Sequence, residues 1–481
     1  MKIQENQIDT IVDRVMEKLT VATPAGGEPQ RPPRRVEAPP PPRDEGHLGS
    51  FPDVDSAVTA ASRAFREYHD VPVATRRKII AAIRDICGEN IDELARRALA
   101  ETGMGRHEDK LKKNRLAIEK TPGVEDLFPE AFSGDDGLTI QERAPYGVIG
   151  SITPCTNPTE TVICNAIGMI AGGNAVVFNT HPSAHRTSAF AVHLLNRAVI
   201  AAGGPPDLIA TVEPPTIQSA QRLMTHPLVR LLVVTGGPAV VATAMKSGKR
   251  VIAAGPGNPP VVVDETADPD KAACDIIASS SCDNNIICVV EKEIIATEPA
   301  ADGLKKALLR HGAVELGAHQ TRRLEQVLLD DQGRPDKRWV GKDIQVILKQ
   351  IGLEVDPAQR VAIMETGPDH PFAREEMLMP VLPLIRARDI DSAIELAYRL
   401  EGGCFHTAAI HSLNIDHMHR MAAKMNTTIF VKNGGTLAGL GFGGEGPASF
   451  TIASPTGEGI TTARHFTRSR RCVVSGYFRI V

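Results

Sequence analysis

A cysteine set behind a polar turn is the first place in this sequence where chemistry is legible. Cys288 follows Cys282-Asp283-Asn284-Asn285-Ile286-Ile287 and leads into an apolar run read as a strand, Val289 to Ala296. That pattern puts a thiol at a helix-to-strand corner, opening on a cleft. A thiolate so placed attacks a carbonyl carbon and holds it as a covalent intermediate. A cysteine elsewhere behaves as a small buried hydrophobe, and Cys87, Cys164, Cys274 and Cys472 sit inside helix or strand patterns that give them this role. Cys155, in the loop Pro154-Cys155-Thr156-Asn157-Pro158, is the nearest rival nucleophile, and Cys404 a weaker one. A second chemical feature is Val233-Val234-Thr235-Gly236-Gly237-Pro238. It reads as a strand, a glycine turn, and a proline at the first position of a helix, where the missing N–H is not needed. Glycines let a phosphate or ribose approach the backbone, and a helix N-terminus favours negative charge. The GxGxxG fingerprint is absent, so nucleotide binding and plain turn punctuation both remain open.

The elements that position these residues alternate. Helical rhythm covers 53–66 and 74–102. Strand-like runs follow at Tyr146 to Thr153, Ala175 to Phe178, Leu208 to Val212, Leu231 to Thr235 and Val251 to Ala254, with helices near 159–171, 183–202, 216–224 and 238–247. The grammar restarts at Pro260 to Val263, with helices near 268–282 and 301–311. Short apolar runs between helices predict buried parallel strands in doubly wound α/β sheets. Two such lobes, with the site in the cleft between them, are the expectation. The carboxyl end is Gly-rich from Gly434 to Gly459, then basic at Arg464, Arg468, Arg470 and Arg471, and reads as a returning arm.

Composition narrows the function classes. The chain has 481 residues, 42% hydrophobic and 23% charged, with a formal net charge of −4, so no basic surplus points to nucleic acid. No apolar run reaches the ~20 residues of a membrane helix; Val162 to Phe178 is broken by Asn165, Gly168, Gly172, Gly173 and Asn174. Eight cysteines without a CxxC argue against a disulfide framework and a zinc ribbon. A soluble, reduced, intracellular protein with no metal is the expectation. The amino terminus lacks the apolar core of a signal peptide. It reads as an amphipathic helix over residues 1–20, with Ile8, Ile11, Val12, Val15, Met16 and Leu19 on one face and Asp9, Asp13, Arg14, Glu17 and Lys18 on the other. A Pro-rich tether over residues 21–47 follows, ending its prolines with Pro39 to Pro42. So short a helix is marginal alone, so it either docks on a partner or folds back on its own domain.

The order of these motifs resembles the aldehyde dehydrogenase superfamily. It runs from Pro154–Pro158 through Gly172-Gly173-Asn174, Thr235-Gly236-Gly237, Gly255-Pro256-Gly257-Asn258-Pro259 and Cys288 to Glu376 ahead of Met379-Pro380-Val381. More closely it resembles the coenzyme-A-acylating enzymes of bacterial microcompartments that act on propionaldehyde or acetaldehyde. Asp283-Asn284-Asn285-x-x-Cys288, His406-Thr407-Ala408-Ala409-Ile410-His411-Ser412 and Thr456-Gly457-Glu458-Gly459-Ile460-Thr461-Thr462 carry that closer likeness. The resemblance implies two doubly wound α/β lobes plus a small β oligomerisation arm. A nucleotide-binding domain would span 48–256, with part of the arm near 123–145, a catalytic domain 257–430, and the returning segment and arm 431–481. It also implies a homodimer or homotetramer in the bacterial cytoplasm, inside a microcompartment whose shell proteins bind residues 1–20.

The resemblance also implies roles. Cys288 is the nucleophile, Asn157 and the Cys288 N–H meet the oxyanion, and Glu376 holds the nicotinamide ribose. Hydrolysing relatives place their asparagine one residue earlier, where this chain has Thr156. Thr156, Asn179, Thr180, His181, Thr235, Gly236, Gly237, Gly255 and Glu376 are the expected cofactor contacts, for NAD with NADP left open. Asn179 stands where a ribose-binding lysine is usual. Hydrolysing relatives carry a Glu-Leu-Gly-Gly-Lys stretch where this chain reads Ala253-Ala254-Gly255-Pro256-Gly257. The base that would activate water is missing, so a thioester on Cys288 should wait for coenzyme A as co-substrate. His406 either takes the CoA proton or is a structural imidazole.

Overall fold

Runs of Val, Ile and Ala with no polar alternation have to be covered on both faces, and they are. The computed structural model describes residues 48–481; the helix and tether expected before residue 48 lie outside the described residues. Val148–Ile152, Ala175–Asn179 and Ile209–Val212 are buried at every position. They belong to a six-stranded parallel sheet, ordered Ser50–Phe51, Ile209–Val212, Ala175–Asn179, Val148–Ile152, Val229–Thr235 and Arg250–Ala254. The chain steps outward from Val148–Ile152 to one side, then returns to pair on the other through Val229–Thr235. That reversal leaves a crevice at the carboxyl ends of these two strands. The loop before helix Pro158–Ala171 and the Thr235-Gly236-Gly237 turn open there.

Residues 255–259 lead into a second parallel sheet of seven strands. Its order is Ala313–Glu315, Val361–Glu365, Val381–Ala387, Glu293–Thr297, Pro260–Val263, Thr407–His411 and Ile429–Lys432. The end of the chain comes back as Thr467–Ser475, antiparallel to Gly137–Pro145, which also pairs with Glu130–Gly134. This three-stranded arm leaves Phe132, Ile140 and Val473 exposed. Among the described residues no helix is long and apolar enough to cross a membrane.

Three elements differ from the sequence reading. The helix expected over 74–102 is two, Val73–Glu89 and Ile91–Thr102. Asn90 breaks it, its side chain donating to the Ile86 carbonyl at 2.7 Å in competition with the helical ladder. The strand expected from Val289 begins only at Glu293. In the arm, the segment expected from residue 123 starts with a 3-10 turn, Val124–Asp126, and pairing begins at Glu130.

A further helix, His107–Lys120, was absent from the sequence reading, and it buries charge. Lys110, Lys113 and Asn114 are fully buried on it. Both ammonium groups meet the buried Asp283 carboxylate, at 3.1 Å from Lys110 and 2.5 Å from Lys113. Lys113 also lies 3.2 Å from buried Glu160. Burial alone would raise the Asp283 carboxyl, but Lys113 and Lys110 hold it below its usual range. Burial likewise works against the Lys113 ammonium, and Asp283 and Glu160 overcome it, raising its pKa. The backbone makes room: Gly105 has φ +75°, and a Cβ there would fall 1.8 Å from Asp283 Oδ1.

Asp283→Asn keeps the volume and removes the charge. Breaking one partner of a buried ion pair costs ~3–5 kcal/mol, expected as a lowered urea midpoint at pH 7. A depressed carboxyl stabilises fully above its unfolded value and loses that contribution as pH falls through the folded value. The variant's acid-side decline should therefore be shallower. A loss below about 1 kcal/mol would show that the two lysines do not depend on Asp283.

Candidate active site

Helix Pro269–Ser280 gives way to a tight turn, Cys282–Asn285, in which Asp283, Asn284 and Asn285 have φ of 48°, 56° and 68°. Left-handed backbone is costly for most L-residues and least so for Asp and Asn. Their side chains fix the turn. Asp283 accepts from the Arg106 N–H at 2.7 Å. Asn284 donates to the Gly341 carbonyl at 2.9 Å, and Asn285 to those of Ser280 and Glu291 at 2.8 and 3.0 Å. The turn delivers Cys288, half-buried, five residues ahead of strand Glu293–Thr297.

Gly257 is the joint of the site. Its N–H donates to Glu376 Oε1 at 3.2 Å. A Cβ there would lie 2.8 Å from the Cys288 carbonyl oxygen and 2.9 Å from His406 Cγ. The linker around it is pinned by Asn258, which donates to the Ala373 and Leu400 carbonyls, both at 2.9 Å. Burial pushes the Cys288 thiol up to about 12; Glu376 adds to that and Lys292 opposes it. Burial also raises Glu376, against Lys292 and the Gly257 N–H. His406 is lowered to about 4 by burial and by Lys292, so its imidazole is neutral at pH 7. Its Nδ1 meets Thr407 Oγ1 at 2.8 Å, and its buried Nε2 has no partner among the described residues.

The other expected residues divide. Asn157 is buried, and Lys113 donates to its Oδ1 at 2.8 Å. That fixes the amide, and its Nδ2 donates only to Thr156 Oγ1 at 3.2 Å. Gly236 spends its N–H on the Ala254 carbonyl, and the Thr235 hydroxyl pairs with Thr451. Gly237 is exposed, with open space where a Cβ would stand, and caps helix Pro238–Met245 without a side chain. Gly255 is close to Pro455, 3.1 Å from a would-be Cβ. Asn179 is buried and accepts from Ser219 Oγ at 2.5 Å. His181 is exposed, and its Nδ1 accepts from the Ser183 N–H as the cap of a short turn, Pro182–Ala184. Thr180 and Thr153 keep buried hydroxyls with no protein partner. Open backbone at a helix start, unpartnered hydroxyls and the Glu376 carboxylate are a donor set that suits a dinucleotide.

Sequence reasoning missed Lys113, Gly257 and Lys292. Gly257 stood inside a quoted motif. A signal for Lys292 was present too: Glu291-Lys292-Glu293 puts three charges inside a run read as a buried strand. Lys113 left none, because Leu111-Lys112-Lys113-Asn114-Arg115 looks like a solvated face.

The profile of the aldehyde dehydrogenase family matches residues 45–325 and 357–463. The chain belongs to the aldehyde dehydrogenase family. Within it, the chain is 52% identical over 440 residues to EutE, an acetylating acetaldehyde dehydrogenase of Salmonella typhimurium, covering 90% of this chain and 94% of that one. The propionaldehyde dehydrogenase of Rhodopseudomonas palustris, solved with bound CoA and an acylated cysteine, matches with a TM-score of 0.88 and 49% identity, over 89% of this chain and 98% of that one. A propionaldehyde dehydrogenase of the Clostridium phytofermentans fucose-utilisation microcompartment matches with a TM-score of 0.89 and 46% identity, over 90% and 100% of the two chains. That protein is known as a cysteine-to-alanine and as a histidine-to-alanine variant, and the interval between the two replaced residues equals that between Cys288 and His406.

Gly257→Ala tests the joint. The added methyl has to displace Cys288, His406 or both, and a shift of about 1 Å can cost 10²-fold in rate. We expect kcat to fall about 10²-fold, with stability lowered by the about 1–3 kcal/mol typical of overpacking. Wild-type kcat in a folded variant would mean the close approach is not needed.

Proposed function

We propose that this chain oxidises a short-chain aldehyde, acetaldehyde or propionaldehyde, to the acyl-CoA through a thioester on Cys288, using NAD or NADP. The observation that carries the reading is the buried, unpartnered Nε2 of neutral His406 across Gly257 from Cys288, with no carboxylate at residue 253. Ala253 is fully buried, and its N–H donates to Thr456 Oγ1.

Cys288 gives up its thiol proton to solvent, and its Sγ bonds to the aldehyde carbon as the C=O π pair moves onto oxygen. The oxyanion is met by the Cys288 N–H and by Asn157 Nδ2, whose amide Lys113 holds in one orientation. A bound nicotinamide would supply the hydride acceptor, and Glu376 would hold its ribose. Loss of hydride leaves an acyl thioester on Cys288. His406 Nε2, neutral and free, takes the proton of the CoA thiol; the CoA thiolate bonds to the acyl carbon, the bond to Cys288 Sγ breaks, and the expelled Cys288 thiolate takes the proton back from His406. The open backbone at Gly237 and the Thr180 and Thr153 hydroxyls line the crevice where the nucleotides sit. We assign residues 48–256 to the nucleotide-binding domain, 257–430 to the catalytic domain, and 431–481 with the strands near 130–145 to the arm joining copies in a dimer or tetramer.

A carboxylate base at residue 253 would speed attack by water about 10²–10⁴-fold, so with Ala253 there water should attack the thioester slowly. Mixed with aldehyde and NAD but no CoA, the protein should give about one NADH per active site, then a rate lower by about that factor. Cys288→Ala should show no burst and Cys155→Ala a full one. Rapid release of free acid without CoA would make it a hydrolysing enzyme instead.

Residues 1–20 we assign to docking on the shell proteins of a bacterial microcompartment in the cytoplasm. Their deletion should leave kcat within about twofold, since every residue assigned to the site comes later in the chain, from Lys113 onward, and should end co-purification with shells. Lost activity, or unchanged packaging, would overturn the assignment.

A further inference from the structure

Lys292 is 2% exposed, yet among the described residues it makes no direct ion pair. A buried ammonium without a counterion is expensive, so its partners are informative. All three acceptors of its Nζ are oxygens of the catalytic loop: Asn285 O at 2.8 Å, Asn285 Oδ1 at 2.7 Å and Ile287 O at 3.2 Å. Its own N–H is spent on the Pro259 carbonyl at 2.9 Å, tying the loop to the inter-sheet linker. One side chain therefore gathers the residues just before Cys288, and one backbone bond joins them to the segment carrying Gly257.

Of the neighbouring acids Glu376 does most to favour its charge, without a direct ion pair, and the others are poor counterions. Glu293 is fully buried with both carboxyl oxygens unpartnered, and burial raises its pKa far above the ordinary value. Glu291 is raised to about 7 by burial, and its Oε1 accepts from the Thr436 N–H instead. Glu401, beyond Glu293, is raised by burial and accepts from the His406 N–H. Burial lowers Lys292 itself to about 8. The charges that face Cys288 are thus Glu376, Lys292 and the more distant Lys113.

We propose that Lys292 is a positioning residue for Cys288: its ammonium anchors the loop through three oxygens and keeps a positive charge beside the thiol as the thiol gives up its proton. The proposal rests on Cys288 being the nucleophile, and it deepens that reading. Two functions sit in one group. The hydrogen bonds place the sulfur, and the charge favours the thiolate over the thiol.

The test reads the thiol directly and does not need turnover. The full chain, without cofactor, is pulsed with iodoacetamide between pH 6 and 10, and modification of the Cys288 peptide is measured by mass spectrometry. While Lys292 is charged, the rate should rise tenfold per pH unit. Once Lys292 loses its proton near pH 8, each further thiolate forms without its partner charge, and the profile should flatten. Lys292→Met should react about tenfold more slowly at pH 7, the effect of about one pKa unit, and climb without a bend to pH 10. Lys292→Gln keeps a donor to the loop but no charge, and should follow Lys292→Met. A wild-type profile with no bend near pH 8, or a Lys292→Gln rate equal to wild type at pH 7, overturns the proposal. If neither variant folds, the wild-type bend alone decides. A bend in a protein that forms no acyl-CoA would leave Lys292 in place and remove the proposed function instead.

Discussion

Everything around the reactive thiol depends on two lysines that have no access to water. Lys110 and Lys113 share the Asp283 carboxylate, and Lys113 reaches on to Glu160 and Asn157. Replacing such a group by well-packed apolar residues often costs nothing in stability. What apolar residues cannot supply is direction. The cluster joins helix His107–Lys120, the start of helix Pro158–Ala171 and the turn before Cys288, three segments far apart in sequence. It therefore sets, in one place, the orientation of the Asn157 amide and the path of the loop that carries the Cys288 sulfur.

The polar groups beyond that cluster follow a different rule. Around Cys288 and His406 the environment favours neutral forms, and burial holds the thiol up and the imidazole down. Two neutral partners in a dry site do not attract each other into a resting ion pair. In the proposed mechanism this leaves the imidazole free to take the proton of a second thiol. Gly257 makes this arrangement possible by bringing a carbonyl, a ring and a carboxylate within contact of one Cα that carries no side chain.

The sequence disclosed the strands because their runs are short and unbroken by polar residues, and it disclosed Cys288 because three Asp and Asn residues precede it. Those residues tolerate the left-handed turn that the structure contains. Lys113 and Lys110 stayed hidden for a physical reason: a buried lysine and an exposed one have the same letters, and the difference lies in a carboxylate 170-odd positions away. Helix Val73–Glu89 was joined wrongly to Ile91–Thr102 because periodicity survives the break at Asn90, where a local side-chain bond decides the backbone. His181 has a local role that its letters do not show. It lies in a suggestive string with Asn179 and Thr180, but its ring is occupied in capping its own turn.

The order in which the chain is made adds a constraint on its birth. Lys110 leaves the ribosome 173 residues before Asp283. At about 5–20 residues per second, the two lysines wait roughly 10–35 s for their carboxylate. Glu160 comes sooner, but it meets only one of them. The first sheet has all its strands only once residue 254 is made, and even then helix His107–Lys120 has a face it cannot bury without cost. A nascent first lobe is thus held open along that helix until the second lobe begins to emerge, and the thiol is synthesised only five residues after the group that closes it.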